Sequence, residues 1–132
     1  MDAESLKSVQ LFASLPEEAR KGLTTWITEA TVSEGKHLVE EGDYSYDLFI
    51  IREGTAEVLH DGERVAELGP GDFFGEMGVL QKAKRGATVV ATSLMQLLVL
   101  SSWDVKRLRR SAPDVYRQLE DAIEQRSTQS PA

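Results

Sequence analysis

The sequence predicts a mainly β fold of the α+β class, a sandwich or jelly-roll barrel of about seven or eight short strands with helical segments before and after it. Three observations carry this expectation. From Thr31 to Ser101, short apolar runs are cut by Gly at 35, 42, 54, 62, 69, 71, 75, 78 and 86, together with Asp and Pro, which is the rhythm of strands and tight turns. On either side of that stretch the apolar residues recur at helical spacing instead. The whole chain is 132 residues and 14.6 kDa, with 41% hydrophobic and 28% charged residues, enough to bury one core without disulfides.

In order along the chain, Val9, Leu11, Phe12 and Leu15 form an apolar turn ahead of a helix. Pro16 is expected in the first turn of that helix, where its missing N–H costs nothing, and Glu17 and Glu18 suit the positive helix end. Leu23, Trp26 and Ile27 continue at helical spacing and read as core packing. Leu48-Phe49-Ile50-Ile51 and Ala56-Glu57-Val58-Leu59 flank Arg52-Glu53-Gly54-Thr55, and Asp61-Gly62 lies between Val58-Leu59 and Val65-Ala66-Glu67-Leu68. These spacings predict two consecutive hairpins. Thr88 to Ala91 and Met95 to Leu100 add two more strands. Ser102 is expected to cap a helix carrying Trp103, Val105 and Leu108, which Ser111-Ala112-Pro113-Asp114 breaks. In the following helix Val115, Leu119, Ala122 and Ile123 make one stripe with Tyr116 at its edge, able to pack on the barrel or to cover an opening in it. Residues 1–126 therefore read as a single domain and residues 127–132 as a flexible polar tail.

Charge and composition exclude several functions. The net charge is -7 and the pI about 4.8, the wrong sign for coating nucleic acid. About 30 residues follow the last strand and two helices consume them, leaving no room for a DNA-reading helix-turn-helix and so no direct nucleic-acid binding. The start, Met1-Asp2-Ala3-Glu4-Ser5, lacks the character of a signal peptide and no long apolar run occurs, so the chain is expected to be cytoplasmic with no membrane segment. With no cysteine and only His37 and His60, which are 23 positions apart, neither a thiolate nucleophile nor a metal centre is expected. The charge is nevertheless uneven: residues 2–76 balance at -11 and residues 77–132 at +4. Lys82, Lys84 and Arg85 lie in an acid-free stretch from Met77 to Thr88.

That stretch belongs to the densest signal in the chain, Gly69-Pro70-Gly71-Asp72-Phe73-Phe74-Gly75-Glu76-Met77-Gly78-Val79-Leu80 followed, after a short spacer, by Arg85-Gly86-Ala87-Thr88-Val89. Gly75 removes a side chain where the backbone must come close to something, and a short helix beginning near Glu76 points unpaired N–H groups at an anion. Arg85 offers a planar fork for two phosphate oxygens, and Gly86 and Ala87 are small enough for their backbone N–H groups to reach the same ligand. A carboxylate at Glu76 would repel a phosphate, but it accepts well from a hydroxyl. A ligand that presents a phosphate to Arg85 and a sugar hydroxyl to Glu76 uses both, which is the chemistry of a nucleotide.

These residues resemble the phosphate-binding cassette of the cyclic nucleotide-binding domain family, found in regulatory subunits of cAMP-dependent kinase, cyclic nucleotide-gated channels and catabolite-activator-type regulators. The family pattern, roughly F-G-E-[LM]-[AG]-L-L and then R-[AST]-A-T/S-V, is met by Phe74 to Leu80 and Arg85 to Val89, with the spacing of nine from Glu76 to Arg85 that kinase-type members use. The resemblance spans nearly the whole chain and implies an eight-stranded jelly roll, with Gly42, Gly54 and Gly71 at its turns, a short cassette helix and two closing helices. It also implies roles: Glu76 for the ribose 2′-hydroxyl, Arg85 for the exocyclic phosphate oxygens, the backbone of Gly75, Met77, Gly78 and Ala87 around them, and Val89 and barrel aliphatics beside the base, with Gly86 next to Arg85 in the same site. From the stripe on the final helix, Tyr116, Leu119 or Ile123 either covers the base as a lid or packs permanently on the barrel. Two positions depart from the pattern, with Lys84 where many members carry Pro and Gly86 where they carry Ala, Ser or Thr. The ligand so implied is cAMP, or cGMP, with no further cofactor.

The implied function is a non-catalytic sensor whose closing helices move when the pocket fills and whose effector is a partner protein or another domain of a parent chain. Competing readings are a surface ion pair between Glu76 and Arg85, a metal-dependent jelly-roll enzyme, which wants a histidine cluster, and a ligand-free interaction or dimerisation domain. The presence of both Glu76 and Arg85 argues against the last.

Overall fold

The computed structural model describes residues 9–13, 15–42, 47–75 and 87–127. Among them the chain runs through α1 (Gln10–Ala13), α2 (Glu17–Thr24), β1 (Thr28–Val32), β2 (His37–Val39), β3 (Leu48–Glu53), β4 (Ala56–His60), β5 (Glu63–Leu68), β6 (Phe73–Phe74), β7 (Thr88–Ala91), β8 (Met95–Leu100), α3 (Ser102–Ser111) and α4 (Pro113–Ser127). The eight described strands form two antiparallel four-stranded sheets, ordered β1-β8-β3-β6 and β2-β7-β4-β5, so the expected mainly β jelly roll with a leading helical segment and two closing helices is the fold observed.

Which sheet a strand joins follows from how many apolar faces it has. On β3, Leu48 and Ile50 enter a core shared with the helices, while Ile51, with Phe49 packed beside it, enters a second core between the sheets. On β8, Leu98 and Leu100 face the helices, and Met95 and Leu97 face the other sheet. The two-residue β6 divides in the same way, Phe73 to the helical side and Phe74 to the inter-sheet side. The first sheet is thus the middle layer of three, which is why its inner strands β3 and β8 carry apolar residues on both faces, whereas its edge strand β1 is largely exposed. On the second sheet β4 alternates, with Ala56 and Val58 fully buried and Glu57 and Leu59 only partly so, and β5 leaves Glu63, Arg64, Val65 and Glu67 on the solvent side.

This division corrects one expectation. β3 and β4 do not form a hairpin: β3 pairs with β6 and β8, whereas β4 pairs with β5 and β7. A strand with two apolar faces has to lie in the middle layer, and one with a single apolar face in the outer layer, so the chain crosses between sheets at Gly54-Thr55. The β4–β5 hairpin is as expected, with Asp61 at φ 53° and Gly62 at φ 81°, the two left-handed residues of the turn that matches strand twist.

The helices differ from expectation in detail. Pro16 is the N-cap residue (φ -58°, ψ 153°) rather than part of α2, and α2 stops at Thr24, so Trp26 and Ile27 lie in the turn beyond it while still packing on the helical core. Ser101, not Ser102, caps α3. It keeps the extended backbone of the strand before it, and its Oγ accepts from the Asp104 N–H at 3.1 Å. Val105 and Leu108 of α3 are buried, but Trp103 is 73% exposed. Leu119 of α4 is buried in the helical core with Phe12, Leu23 and Leu108, with Val115 and Tyr116 half-buried beside it. α4 extends to Ser127, one residue into the expected tail.

Candidate functional site

The turn into β6 is built by its own sequence. Gly71 adopts φ 93°, the Asp72 carboxylate accepts from the Gly69 N–H at 2.8 Å, and Ile51 seats the turn against β3, its N–H donating to the Asp72 carbonyl and its carbonyl accepting from the Gly71 N–H. β6 then pairs with β3, and the fully buried ring of Phe74 stacks on Phe49 with centroids 5.0 Å apart and planes 13° from parallel. This fixes the point at which the chain leaves the first sheet. Gly75 follows at once, buried and at φ 88°, a backbone state that favours glycine.

The chain rejoins the other sheet at β7, between β2 and β4, with Val89 opposite both Val39 and Val58. Val89 is fully buried, and Ala87 packs half-buried against the inter-sheet core beside it. The hydroxyl of Thr88 accepts from the Glu41 N–H at 3.0 Å, tying the start of β7 to the end of β2. Of the expected site residues at the two ends of the cassette, Ala87 and Val89 belong to the inter-sheet core, and Gly75 directly follows Phe74, which enters that core from the other sheet. Glu76, Met77, Gly78, Arg85 and Gly86 lie outside the described residues.

Of the expected lid residues, Leu119 lies 2% exposed in the helical core and Tyr116 is at its edge. The Tyr116 hydroxyl donates to Glu120 at 3.3 Å, and partial burial, followed by the charge of Glu120, raises its pKa above the ordinary tyrosine value. The side chain of Ile123 lies outside the described residues.

Sequence spacing missed one juxtaposition. His60 Nδ1 lies 3.4 Å from Glu41, and His60 Nε2 lies 3.6 Å from Asp61, so the sheet brings Glu41 to the adjacent pair His60 and Asp61, three exposed groups of metal-ligand type. His37 makes its own contact with Glu40 at 2.6 Å. The signal that could have found this is strand order rather than local pattern, since β2 and β4 both flank β7.

Comparison with known proteins gives a consistent picture. The family model described as cyclic nucleotide-binding domain matches residues 29–112. A cAMP-dependent protein kinase regulatory subunit of Yarrowia lipolytica is 34% identical over 117 residues, covering 83% of this chain and 30% of that protein. Among solved structures, a cyclic nucleotide-binding domain from Methylobacillus flagellatus KT superposes with a TM-score of 0.85 at 23% identity, covering 96% of this chain and 74% of that one. The regulatory domain of Toxoplasma gondii PKA, crystallised with cAMP, gives 0.77 at 22% identity, covering 96% and 48%. The chain spans about a third or less of the length of the curated relatives it matches. No described helix is long and apolar enough to cross a membrane.

Proposed function

Because this chain belongs to the cyclic nucleotide-binding domain family, we propose that it is a sensor for a cyclic nucleotide, with cAMP as the ligand, acting by binding rather than catalysis. Residues 1–126 would form one binding module whose effector is a partner protein or another domain of a longer chain. The observation that carries the reading is the placement of the cassette ends. Gly75, buried at φ 88°, follows β6 of one sheet, and Ala87 and Val89 lie at the start of β7 in the other, packed on the inter-sheet core. On this reading the N–H groups of Gly75, Met77, Gly78, Gly86 and Ala87 and the Arg85 fork hold a phosphate, while Glu76 takes the ribose hydroxyl and Val89 lies near the base. Relatives named as cAMP-dependent kinase regulatory subunits support cAMP over other nucleotides.

Titration calorimetry with cAMP, cGMP and a cyclic dinucleotide tests the reading. One cAMP should bind per chain. Arg85→Ala removes one member of a desolvated charge pair, an effect of about 2–5 kcal/mol or roughly 30-fold to several thousand-fold in affinity. Glu76→Gln should narrow the preference for cAMP over 2′-deoxy-cAMP, because the bond lost is to that hydroxyl. Undiminished binding by the Arg85 variant refutes the phosphate assignment, and no heat with any of the three ligands leaves the ligand-free interaction domain as the better description.

A further inference from the structure

α3 has two sides of opposite character. Val105 and Leu108 are buried in the helical core, whereas Trp103, Lys106, Arg107 and Arg110, at the i, i+3, i+4 and i+7 positions of one helix face, are exposed. Arg109 is exposed beside them. Three of the cations lie over aromatic rings: Lys106 over Trp103 at 5.3 Å, Arg107 over Trp26 at 5.1 Å and Arg109 over Tyr116 at 5.8 Å. The one acid of the helix, Asp104, is committed to the Ser101 cap.

The arginines on this face differ from several cations elsewhere among the described residues. Lys21, Arg52, Arg64 and Arg117 each have a carboxylate partner, whereas none of Arg107, Arg109 and Arg110 is ion-paired among the described residues. In a chain of net charge -7, three neighbouring arginines with no carboxylate partner among the described residues are a local reversal of sign. An arginine fork of this kind can meet a carboxylate two oxygens at a time.

We propose that this face of α3 docks an acidic segment of a partner protein, one whose Asp or Glu side chains recur about a helical turn apart. Charge complementarity selects the occupant. An anionic bilayer is the other surface that attracts Trp and Arg, but it is an extended sheet of negative charge that also meets the acidic remainder of the chain, whereas a short segment meets the stripe alone. Each of the three rings also already carries one of the molecule's own cations.

The test uses the whole chain and a fluorescein-labelled peptide of alternating Glu and Ala, read by fluorescence anisotropy at low and moderate salt. The peptide should bind, more weakly as salt rises, and its Gln-for-Glu counterpart should not. The double variant Arg107→Gln, Arg110→Gln should weaken binding by about fivefold to thirtyfold, the loss of two exposed ion pairs, with Arg64→Gln as the unaffected control. Arg110→Glu, which disturbs no ring contact, should abolish binding in a protein with an unchanged melting curve. Equal binding by native protein and double variant, or no binding by the native protein at low salt, overturns the proposal. Stripe-dependent sedimentation with phosphatidylserine-containing vesicles in the absence of peptide binding overturns it in favour of a lipid surface.

Discussion

At Gly54 the chain turns from the middle layer to the outer one at φ 95°, and the space beside it is closed. A Cβ there would overlap the carbonyl oxygen of Leu94 and lie 2.9 Å from the Met95 Cα, both of them backbone atoms. Gly54→Ala is expected to destabilise the fold by about 2–4 kcal/mol through left-handed strain and overlap together. Urea unfolding monitored by tryptophan fluorescence checks this, and a midpoint equal to that of the native protein would show that the crossing is not constrained. Gly86 carries a different expectation. In family members that prefer cGMP, a Thr or Ser after the arginine commonly bonds the guanine amino group, and here a hydrogen takes its place. Gly86→Thr should raise affinity for cGMP relative to cAMP in competition titrations, and a native protein that already prefers cGMP contradicts the account.

Among elements, α4 has a pH-dependent contact of its own. The Tyr116 hydroxyl is held in its neutral form by partial burial and then by Glu120, so its pKa is raised in the folded state. In the unfolded chain Tyr116 ionises first, near the ordinary value of about 10. The stabilisation is therefore complete below that pH and is lost as pH rises through the folded value. Tyr116→Phe should flatten the alkaline limb of a stability–pH curve relative to native protein while leaving the neutral region little changed. An identical alkaline limb in both proteins removes Tyr116 as its cause. Legibility also divides by element. The β4–β5 hairpin was readable because Asp61-Gly62 specifies its turn locally. The separation of β3 from β4 was not, because the sheet a strand joins depends on layers contributed by distant residues, although the unbroken run Leu48 to Ile51 did hold the clue. The family was legible in the motif from Phe74 to Val89, whereas the contact of His60 with Glu41 and the exposure of Trp103 needed strand order and helix phase in three dimensions.

For the whole molecule the question is whether ligand reaches α4. Its Leu119 shares the helical core with Phe73, and Phe73 is followed directly by Phe74 in the inter-sheet core and then by Gly75. Two adjacent residues of β6 thus connect the proposed cassette to the seat of the last helix. Saturating cAMP is expected to slow amide exchange in residues 113–126 as well as in residues 74–88. Protection confined to residues 74–88 would make α4 scaffold and send the signal out by another route. The sheet order also sets when this protein can form. Strand β1 has one partner, β8, and Thr28 faces Val99 across a loop of about seventy residues, so neither the edge of the middle layer nor its attachment to the helices can close early. A ribosome translating this chain must hold an unsealed sheet until β8 has emerged. The Leu97 to Leu100 run, which supplies side chains to both cores, is then the last strand to arrive: it completes the inter-sheet core, while the helical core still waits for Val105, Leu108 and Leu119.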